Sequence, residues 1–236
     1  ITYTGGNDTL SGGAGADTID GDAGTDIVSY SDVGASGSDQ HGIADDGLLG
    51  IAVNLSASAI NTSTIDTAGD VHNDDTYALH DETSLAAGKA AYITAATDTA
   101  SGDALDTLSN VEGVIGSARS DYLALGAGGM SADGGAVKDT VVGGAGNDTI
   151  TGGAAADVLV GGDGNDTYVY VATTDLFASN ALVDTITEGS GTDSGTDAIQ
   201  INNNGGATFT IAATNDLGGS KNIEKITAAA SDQIIS

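Results

Sequence analysis

Aspartate recurs at one position of a nine-residue period in this chain. It fills that position in every copy but one, and the exception is Met130. The aspartates are Asp8, Asp17, Asp26, Asp121, Asp139, Asp148, Asp157 and Asp166. The two most regular copies begin at Gly143 and Gly161 and fit the pattern Gly-Gly-x-Gly-x-Asp-x-U-x, in which U is a large apolar residue. A fixed period of this kind indicates a repeat architecture.

The pattern combines the oxygen ligands that calcium prefers. Glycines permit tight turns in which carbonyl oxygens converge without a Cβ in the way, and the aspartate adds an anionic oxygen. Calcium takes about six to eight oxygens, so two neighbouring turns are needed to complete one shell. The predicted metal ligands are therefore these aspartates together with the turn glycines Gly13, Gly15, Gly144, Gly146, Gly153, Gly162 and Gly164.

The same period predicts the elements that position the turns. The residue two places after the aspartate is apolar and should point inward from a short strand. These inward residues are Leu10, Ile19, Val28, Leu123, Val141, Ile150 and Leu159, with Ala132 and Tyr168 as exceptions in size. Nine residues then make one turn and one strand, and two copies make one coil. Equivalent turns are 18 residues apart in sequence and should lie roughly 4.8 Å apart in space.

The motif resembles the RTX (hemolysin-type) calcium-binding nonapeptide repeat of bacterial S-layer proteins, adhesins and type I secreted proteins. The resemblance covers residues 3–29 and 116–169 in register, and it is looser over residues 106–117 and after Asn222. It implies an all-β fold, a parallel β-roll (RTX β-solenoid), that binds several Ca²⁺ ions. It also implies a secreted, extracellular location, on the cell surface, reached by type I secretion.

Composition agrees with a calcium-binding role. The net charge is -29, from 34 acidic residues against five Lys and Arg, and all but four of the acids are Asp. The short Asp side chain suits ligands carried on turns. Five scattered basic residues exclude binding of nucleic acid through its phosphates. The sequence has no long apolar run, so neither a membrane span nor a signal peptide is predicted. It also lacks Cys, Trp and Pro, which leaves metal as the expected stabiliser.

Four segments are predicted. They are a short RTX β-roll block (1–29), an irregular β-rich insert with lead-in strands (30–115), the main RTX β-roll (116–169) and a C-terminal β-strand region (170–236). Within the insert, residues 50–55 are predicted as a strand, 56–80 as loop and 81–92 as a short helix. Five strands are predicted from the last repeat onward, at 167–171, 183–187, 198–201, 208–212 and 223–227.

The turns of the main roll sort into two edges that differ in glycine content. Repeats starting at 116, 134 and 152 lack the fourth-position glycine and carry Arg119, Val137 and Ala155 instead. The repeats at 125, 143 and 161 keep it. We therefore rank the site between Asp148 and Asp166 first and that between Asp139 and Asp157 next, and expect a further site between Asp8 and Asp26. Arg119 disfavours a calcium site between Asp121 and Asp139. The soft Met130 thioether should weaken calcium binding between the turns that start at 125 and 143.

No catalytic constellation is found in the sequence, so an enzyme is not predicted. There is no Gly-x-Ser-x-Gly elbow, no Cys, and no zinc-like spacing of His41, His72 and His80. We favour a calcium-binding structural module of an extracellular or cell-surface assembly (S-layer, adhesin or fibre type), with calcium-dependent self-association or contact with neighbouring modules. The alternative is the C-terminal secretion and folding module of a type I secreted enzyme such as a protease or lipase. Ice binding is disfavoured because the third repeat position never carries Thr.

Overall fold

The computed structural model describes residues 5–13, 15–33, 48–61, 77–79, 84–95, 106–171, 173–178, 181–187, 195–202 and 223–228. Within these ranges the chain consists of short β-strands and a single helix, α1 (Thr173–Leu176). The all-β prediction is therefore confirmed. No helix in these ranges is long and apolar enough to cross a membrane.

One sheet, here called the parallel sheet, runs through both repeat blocks. All neighbouring strands in it are parallel. In spatial order they are β1 (Thr9–Leu10), β3 (Ile27–Ser29), β10 (Gly113–Ile115), β12 (Ser131–Gly135), β14 (Thr149–Gly153), β16 (Thr167–Tyr170), β20 (Asp197–Ile201) and β21 (Ile223–Ala228). Thr149 pairs with Thr167, which confirms the predicted interval of 18 residues between equivalent positions.

The second sheet, here called the mixed sheet, contains the alternate strands of the roll and part of the insert. In spatial order they are β19 (Thr185–Thr187), β15 (Val158–Asp163), β13 (Thr140–Ala145), β11 (Tyr122–Ala124), β4 (Leu48–Asn54), β8 (Lys89–Ala95), β9 (Asp106–Ser109) and β2 (Thr18–Asp20), and β6 (Tyr77–Leu79) pairs with β8. Strand β8 is antiparallel to β4, β6 and β9. The insert therefore adds strands to this sheet and leaves β3 directly beside β10 in the other.

The core lies between the two sheets. Every predicted inward residue is buried, from Leu10 in the first block to Tyr168 in the last repeat, and Ala132 is the smallest of them. These residues belong to one continuous cluster that also takes in Leu108 and Val114 of the lead-in segment. The apolar periodicity is thus confirmed as the signal that set the inner face. The sheets continue across the predicted segment boundaries, and the four-segment division stays a prediction.

The insert differs from its predicted elements in two places. The short helix predicted over residues 81–92 is wrong, because Ser84–Leu85 form β7 and Lys89–Ala95 form β8. Pairing with β4, for example Ala52 with Ala91, overrides the helical propensity of the alanines. The predicted loop 56–80 contains two short strands, β5 (Ile60–Asn61) and β6. Strand β5 pairs with β7.

The other strand predictions fare better. The strand predicted over residues 50–55 is confirmed as β4, and those after the repeats correspond to β16, β19, β20 and β21. The predicted strand 208–212 lies outside the described residues. A small hairpin of β17 (Phe177–Ala178) and β18 (Ala181–Leu182) follows α1.

Candidate calcium centres

The turns that lead into the parallel sheet form one stacked edge, here called the parallel-sheet edge. Along it, Oδ1 of Asp148 accepts the backbone N–H of Met130 at 2.8 Å, and Oδ1 of Asp166 accepts that of Asp148 at 2.8 Å. In the first block, Oδ1 of Asp26 accepts the N–H of Asp8 at 2.8 Å. Each carboxylate is therefore oriented by the backbone of the turn 18 residues before it.

The mixed-sheet edge, formed by the turns that lead into the mixed sheet, repeats this arrangement. Oδ1 of Asp139 accepts the N–H of Asp121, and Oδ1 of Asp157 accepts that of Asp139, both at 2.8 Å. The structure therefore brings together the aspartates that the period predicted as neighbours. It places Asp17 on this edge, away from Asp8 and Asp26.

In several of these aspartates the second carboxylate oxygen, Oδ2, has no protein donor. Oδ2 is buried without a hydrogen-bond partner in Asp17, Asp26, Asp139, Asp148 and Asp157. Asp26 and Asp139 are both 0% exposed. Burying an ionised carboxylate without a partner costs several kcal/mol. A cation is the natural partner for these oxygens.

The glycine at the first position of the regular repeats marks where such a cation would lie. A Cβ on Gly143 would be 2.7 Å from Oδ2 of Asp148 and 2.3 Å from the carbonyl oxygen of Gly161. At Gly134 the corresponding distances are 2.6 Å to Oδ2 of Asp139 and 2.7 Å to the carbonyl oxygen of Gly152. A carboxylate from one turn and a carbonyl from the next therefore face one small space, which any side chain would fill. We call this space the glycine cradle.

The predicted turn glycines have the backbone that the cradle needs. Their φ angles are 84° at Gly13, 96° at Gly15, 108° at Gly144, 118° at Gly146, 104° at Gly153, 105° at Gly162 and 132° at Gly164. The stacking is close as well, because a Cβ on Gly164 would lie 1.9 Å from the carbonyl oxygen of Gly146. Ala155 takes this fourth position on the mixed-sheet edge with φ 99°, whereas Arg119 and Val137 lie outside the positive-φ region.

Electrostatics also favour a bound cation at these edges. Burial, together with the adjacent carboxylates of Asp121 and Asp157, raises the pKa of Asp139 to about 9. Burial raises the pKa of Asp157 to about 7 and that of Asp121 to about 7, and it also raises the pKa of Asp148. Each shift measures how unfavourable the negative charge is before a cation neutralises it.

This donor set fits calcium. Among the described residues, no three acidic or histidine side chains converge on one point, and the cradle pairs each carboxylate with a backbone carbonyl instead, as Asp148 with Gly161. Carboxylate and carbonyl oxygens from two turns are the hard, all-oxygen set that calcium takes at about 2.3 to 2.6 Å. The assignment of the individual aspartates and glycines as ligands stays a prediction.

Two positions of the period depart from the pattern. Oδ1 of Asp121 accepts hydrogen bonds from the Ser117 hydroxyl at 2.7 Å and the Ile51 N–H at 2.8 Å, and its Oδ2 accepts the Ser117 N–H at 2.5 Å. Both oxygens are therefore engaged, which is a structural reason to rank Asp121 low. At Met130, the sulphur accepts the N–H of Gly126 at 3.1 Å.

Four acidic residues outside the predicted repeats continue these rows of carboxylates, and they were not among the predicted ligands, although Glu112 and Asp184 keep the nine-residue spacing from Asp121 and Asp166. Their oxygens accept N–H groups of repeat aspartates: Asp106 from Asp17 at 2.8 Å, Glu112 from Asp26 at 2.8 Å, Asp184 from Asp157 at 2.9 Å and Asp197 from Asp166 at 2.8 Å. The sequence intervals are 89, 86, 27 and 31 residues. A local signal was present, because each acid is followed two places later by Leu108, Val114, Ile186 or Ile199.

Two of these four acids accept a hydrogen bond from a tyrosine hydroxyl on their second carboxylate oxygen. Oδ2 of Asp106 accepts the Tyr30 hydroxyl at 2.9 Å, and Oδ2 of Asp184 accepts the Tyr170 hydroxyl at 2.7 Å. Burial raises the pKa of Asp184 to about 6. A hydroxyl therefore occupies the oxygen that faces the cradle in the regular repeats.

The comparison with known proteins agrees with the geometry. The family model of the RTX calcium-binding nonapeptide repeat matches four copies, over residues 2–32 and 133–168. No curated protein matches the chain. RTX repeats bind calcium through a structural rather than a catalytic module, and they occur in type I secreted extracellular proteins. The chain therefore carries RTX calcium-binding nonapeptide repeats, folded as a β-roll.

Proposed function

We propose that this chain is a calcium-folded structural module of an extracellular or cell-surface assembly of the S-layer, adhesin or fibre type. The observation that carries the proposal is the continuity of the two sheets. The parallel sheet runs from β1 to β21 without an antiparallel neighbour, and carboxylates line both edges of the stack. Calcium at these edges would stiffen one scaffold that spans both repeat blocks.

Self-association through calcium is the mode of assembly that we propose. The net charge of -29 makes two copies repel each other, and a divalent cation between acidic surfaces removes that repulsion. Among the described residues, β1 pairs only with β3 and β21 only with β20. An exposed parallel strand offers unpaired N–H and C=O groups to a strand of another copy or module.

The alternative function is the calcium-dependent secretion and folding module of a type I secreted enzyme such as a protease or lipase. It is favoured by the occurrence of RTX repeats in type I secreted proteins. In that case the roll would fold outside the cell, where calcium is plentiful, and would have no need to meet another copy.

Assembly state separates the two functions. We expect the full-length protein to sediment as oligomers or to form a lattice or fibre in millimolar calcium, and to revert to single chains after chelation. Sedimentation velocity and electron microscopy at matched protein concentrations measure this. Magnesium at the same concentration is the control for charge screening. A full-length protein that stays monomeric in calcium would favour the secretion module.

A further inference from the structure

We propose that Asp26, Glu112 and the backbone carbonyl of Asn110 hold a calcium ion at the junction between the first repeat block and the main roll. The residues of this junction site come from the end of the first block and from the return of the insert. Asn110 and Glu112 lie outside both segments that the RTX repeat model matches. The proposal concerns a single chain and does not depend on assembly.

The junction reproduces the geometry of the regular cradle contact by contact. A Cβ on Gly21 would lie 2.7 Å from Oδ2 of Asp26 and 2.1 Å from the carbonyl oxygen of Asn110. The corresponding distances at Gly143 are 2.7 Å to its own aspartate and 2.3 Å to the carbonyl oxygen of Gly161. Both junction oxygens thus face one space, and bonds of about 2.3 to 2.6 Å would let one calcium contact both.

Glu112 occupies the register position of the next repeat aspartate. Its Oε2 accepts the N–H of Asp26 at 2.8 Å, as Oδ1 of Asp166 accepts the N–H of Asp148 at 2.8 Å. The strand that follows Glu112 pairs with the strand that follows Asp26, with Gly113 opposite Ile27. The junction therefore has the same contact between stacked turns as the regular repeats, although the residues around Glu112 do not form a repeat.

A longer side chain at this step follows from a shorter turn. In the regular site the carbonyl of Gly161 precedes the carboxylate of Asp166 by five residues, whereas Asn110 precedes Glu112 by two. Asn110 closes the turn with φ 50°, and its side-chain amide donates to Oδ1 of Asp20 at 2.8 Å. The extra methylene of Glu gives the carboxylate the reach that the missing turn residues would have supplied.

An independent observation points to a ligand here. Asp26 is 0% exposed, its Oδ1 accepts the N–H of Asp8, and its buried Oδ2 has no hydrogen-bond partner. A cleft of about 260 Å³, which Asn110, Glu112 and Met130 help to line, adjoins the junction. An ion could reach Glu112 through this cleft.

Calcium at this site would tie together residues 86 positions apart. Cross-links that close long intervals restrict the unfolded chain most. The junction ion would therefore couple the folding of residues 15–33 to that of the main roll.

The test is a count of bound calcium in the full chain carrying Glu112→Gln. Gln keeps the size of Glu and an oxygen that can accept the Asp26 N–H, but it lacks the charge. Native mass spectrometry at saturating calcium should show one ion fewer than in the wild type. Asp163→Asn removes the same charge from an exposed turn position in the last repeat and should leave the count unchanged.

Hydrogen exchange provides a local readout of the same variant. At half-saturating calcium, Glu112→Gln should speed the exchange of the Gly113 amide, which donates to Asp26 O, and leave the Thr167 amide, which donates to Asp148 O, as protected as in the wild type. An unchanged ion count would overturn the proposal, because Glu112 would then only accept a backbone hydrogen bond. Loss of several ions together with the β-structure at saturating calcium would also contradict a single local site.

Discussion

In the regular repeats the two carboxylate oxygens of the aspartate make different contacts. At Asp148, Oδ1 accepts the backbone N–H of Met130 in the preceding turn, and Oδ2 faces the glycine cradle. Asn in place of Asp retains an oxygen for the first contact and removes the negative charge. Substitution of single aspartates by Asn therefore separates the structural contribution of the side chain from its contribution to metal binding.

Asp148→Asn should weaken calcium binding more than Asp121→Asn. Oδ2 of Asp148 has no protein partner, whereas both oxygens of Asp121 already accept hydrogen bonds from Ser117 and Ile51. We expect at least a tenfold loss of affinity at one site for Asp148→Asn, about 1.4 kcal/mol, and a smaller effect for Asp121→Asn. Isothermal titration of both variants measures this, and equal losses would contradict the ranking of the two positions.

Ala155→Gly should stabilise the calcium-bound protein. Ala155 has φ 99° at the position where Gly146 and Gly164 have φ 118° and 132°. A side chain in that region costs of order 1 to 3 kcal/mol, and the added freedom of Gly in the unfolded chain offsets about 0.4 to 1 kcal/mol of the gain. The net increase in the free energy of unfolding should be about 1 kcal/mol.

Denaturant unfolding in saturating calcium measures that increase. Ala156→Gly is the matched control, because Ala156 is an exposed neighbour whose φ is not positive. It should be neutral or slightly destabilising, since only the unfolded-state entropy changes. If Ala155→Gly destabilised the protein as much as the control does, no strain would be stored at this turn.

At the scale of the element, the mixed-sheet edge concentrates negative charge in a buried row. Burial raises the pKa of Asp139 to about 9, those of Asp121 and Asp157 to about 7 and that of Asp184 to about 6. An unfolded Asp has a pKa of about 3.9. The metal-free folded state therefore binds more protons than the unfolded state between these values, and its stability falls as pH rises.

Acidification should therefore affect the metal-free and calcium-bound protein in opposite directions. This contribution to metal-free stability is fully present below about pH 4 and is lost as pH rises through about 6 to 9. Lowering the pH of calcium-free protein from about 9 to about 5 should increase its β-sheet circular dichroism signal. In calcium, the same change should lower the affinity, because protons compete for the carboxylates.

Salt distinguishes buried from surface charge in this experiment. Salt at about 1 M shortens the Debye length to about 3 Å and screens exposed charges, but it does not restore solvation to buried carboxylates. The acid-induced gain in β-structure should therefore persist in high salt. If high salt alone produced the same gain in β-structure at high pH, the pH dependence would come from repulsion among all the negative charges of the chain.

At the scale of the whole molecule, charge and chain entropy oppose the fold until cations bind. The chain carries a net charge of -29 and has no Trp, no Cys and only two Phe, and its core among the described residues is built mainly of small and aliphatic side chains with the tyrosines Tyr30, Tyr168 and Tyr170. Fixing each residue costs about 1 to 2 kcal/mol of backbone entropy. Calcium at 100 times the dissociation constant adds about 2.7 kcal/mol per independent site.

Folding should therefore depend on calcium. Circular dichroism in a chelator at neutral pH should show a mostly disordered chain, and titration with calcium should restore the β-sheet signal cooperatively. The midpoint should lie on the order of 0.1 to 1 mM, the range of extracellular calcium modules. Magnesium is the control, since it is smaller and dehydrates reluctantly. A chain equally rich in β-structure with and without calcium would contradict this expectation.

The nine-residue period by itself determined the roll, the buried face from Leu10 to Tyr168 and the interval of 18 residues between stacked turns. It could do so because turn glycines, aspartate and inward apolar residue all lie within a single repeat. Once the period stops, only the tertiary structure decided the outcome. The register of β3 on β10 brings Glu112 to Asp26 across 86 residues, and β4 draws the alanines of residues 90–91 into a strand. These contacts depend on which distant strands pair with each other, and a local sequence pattern does not specify that pairing.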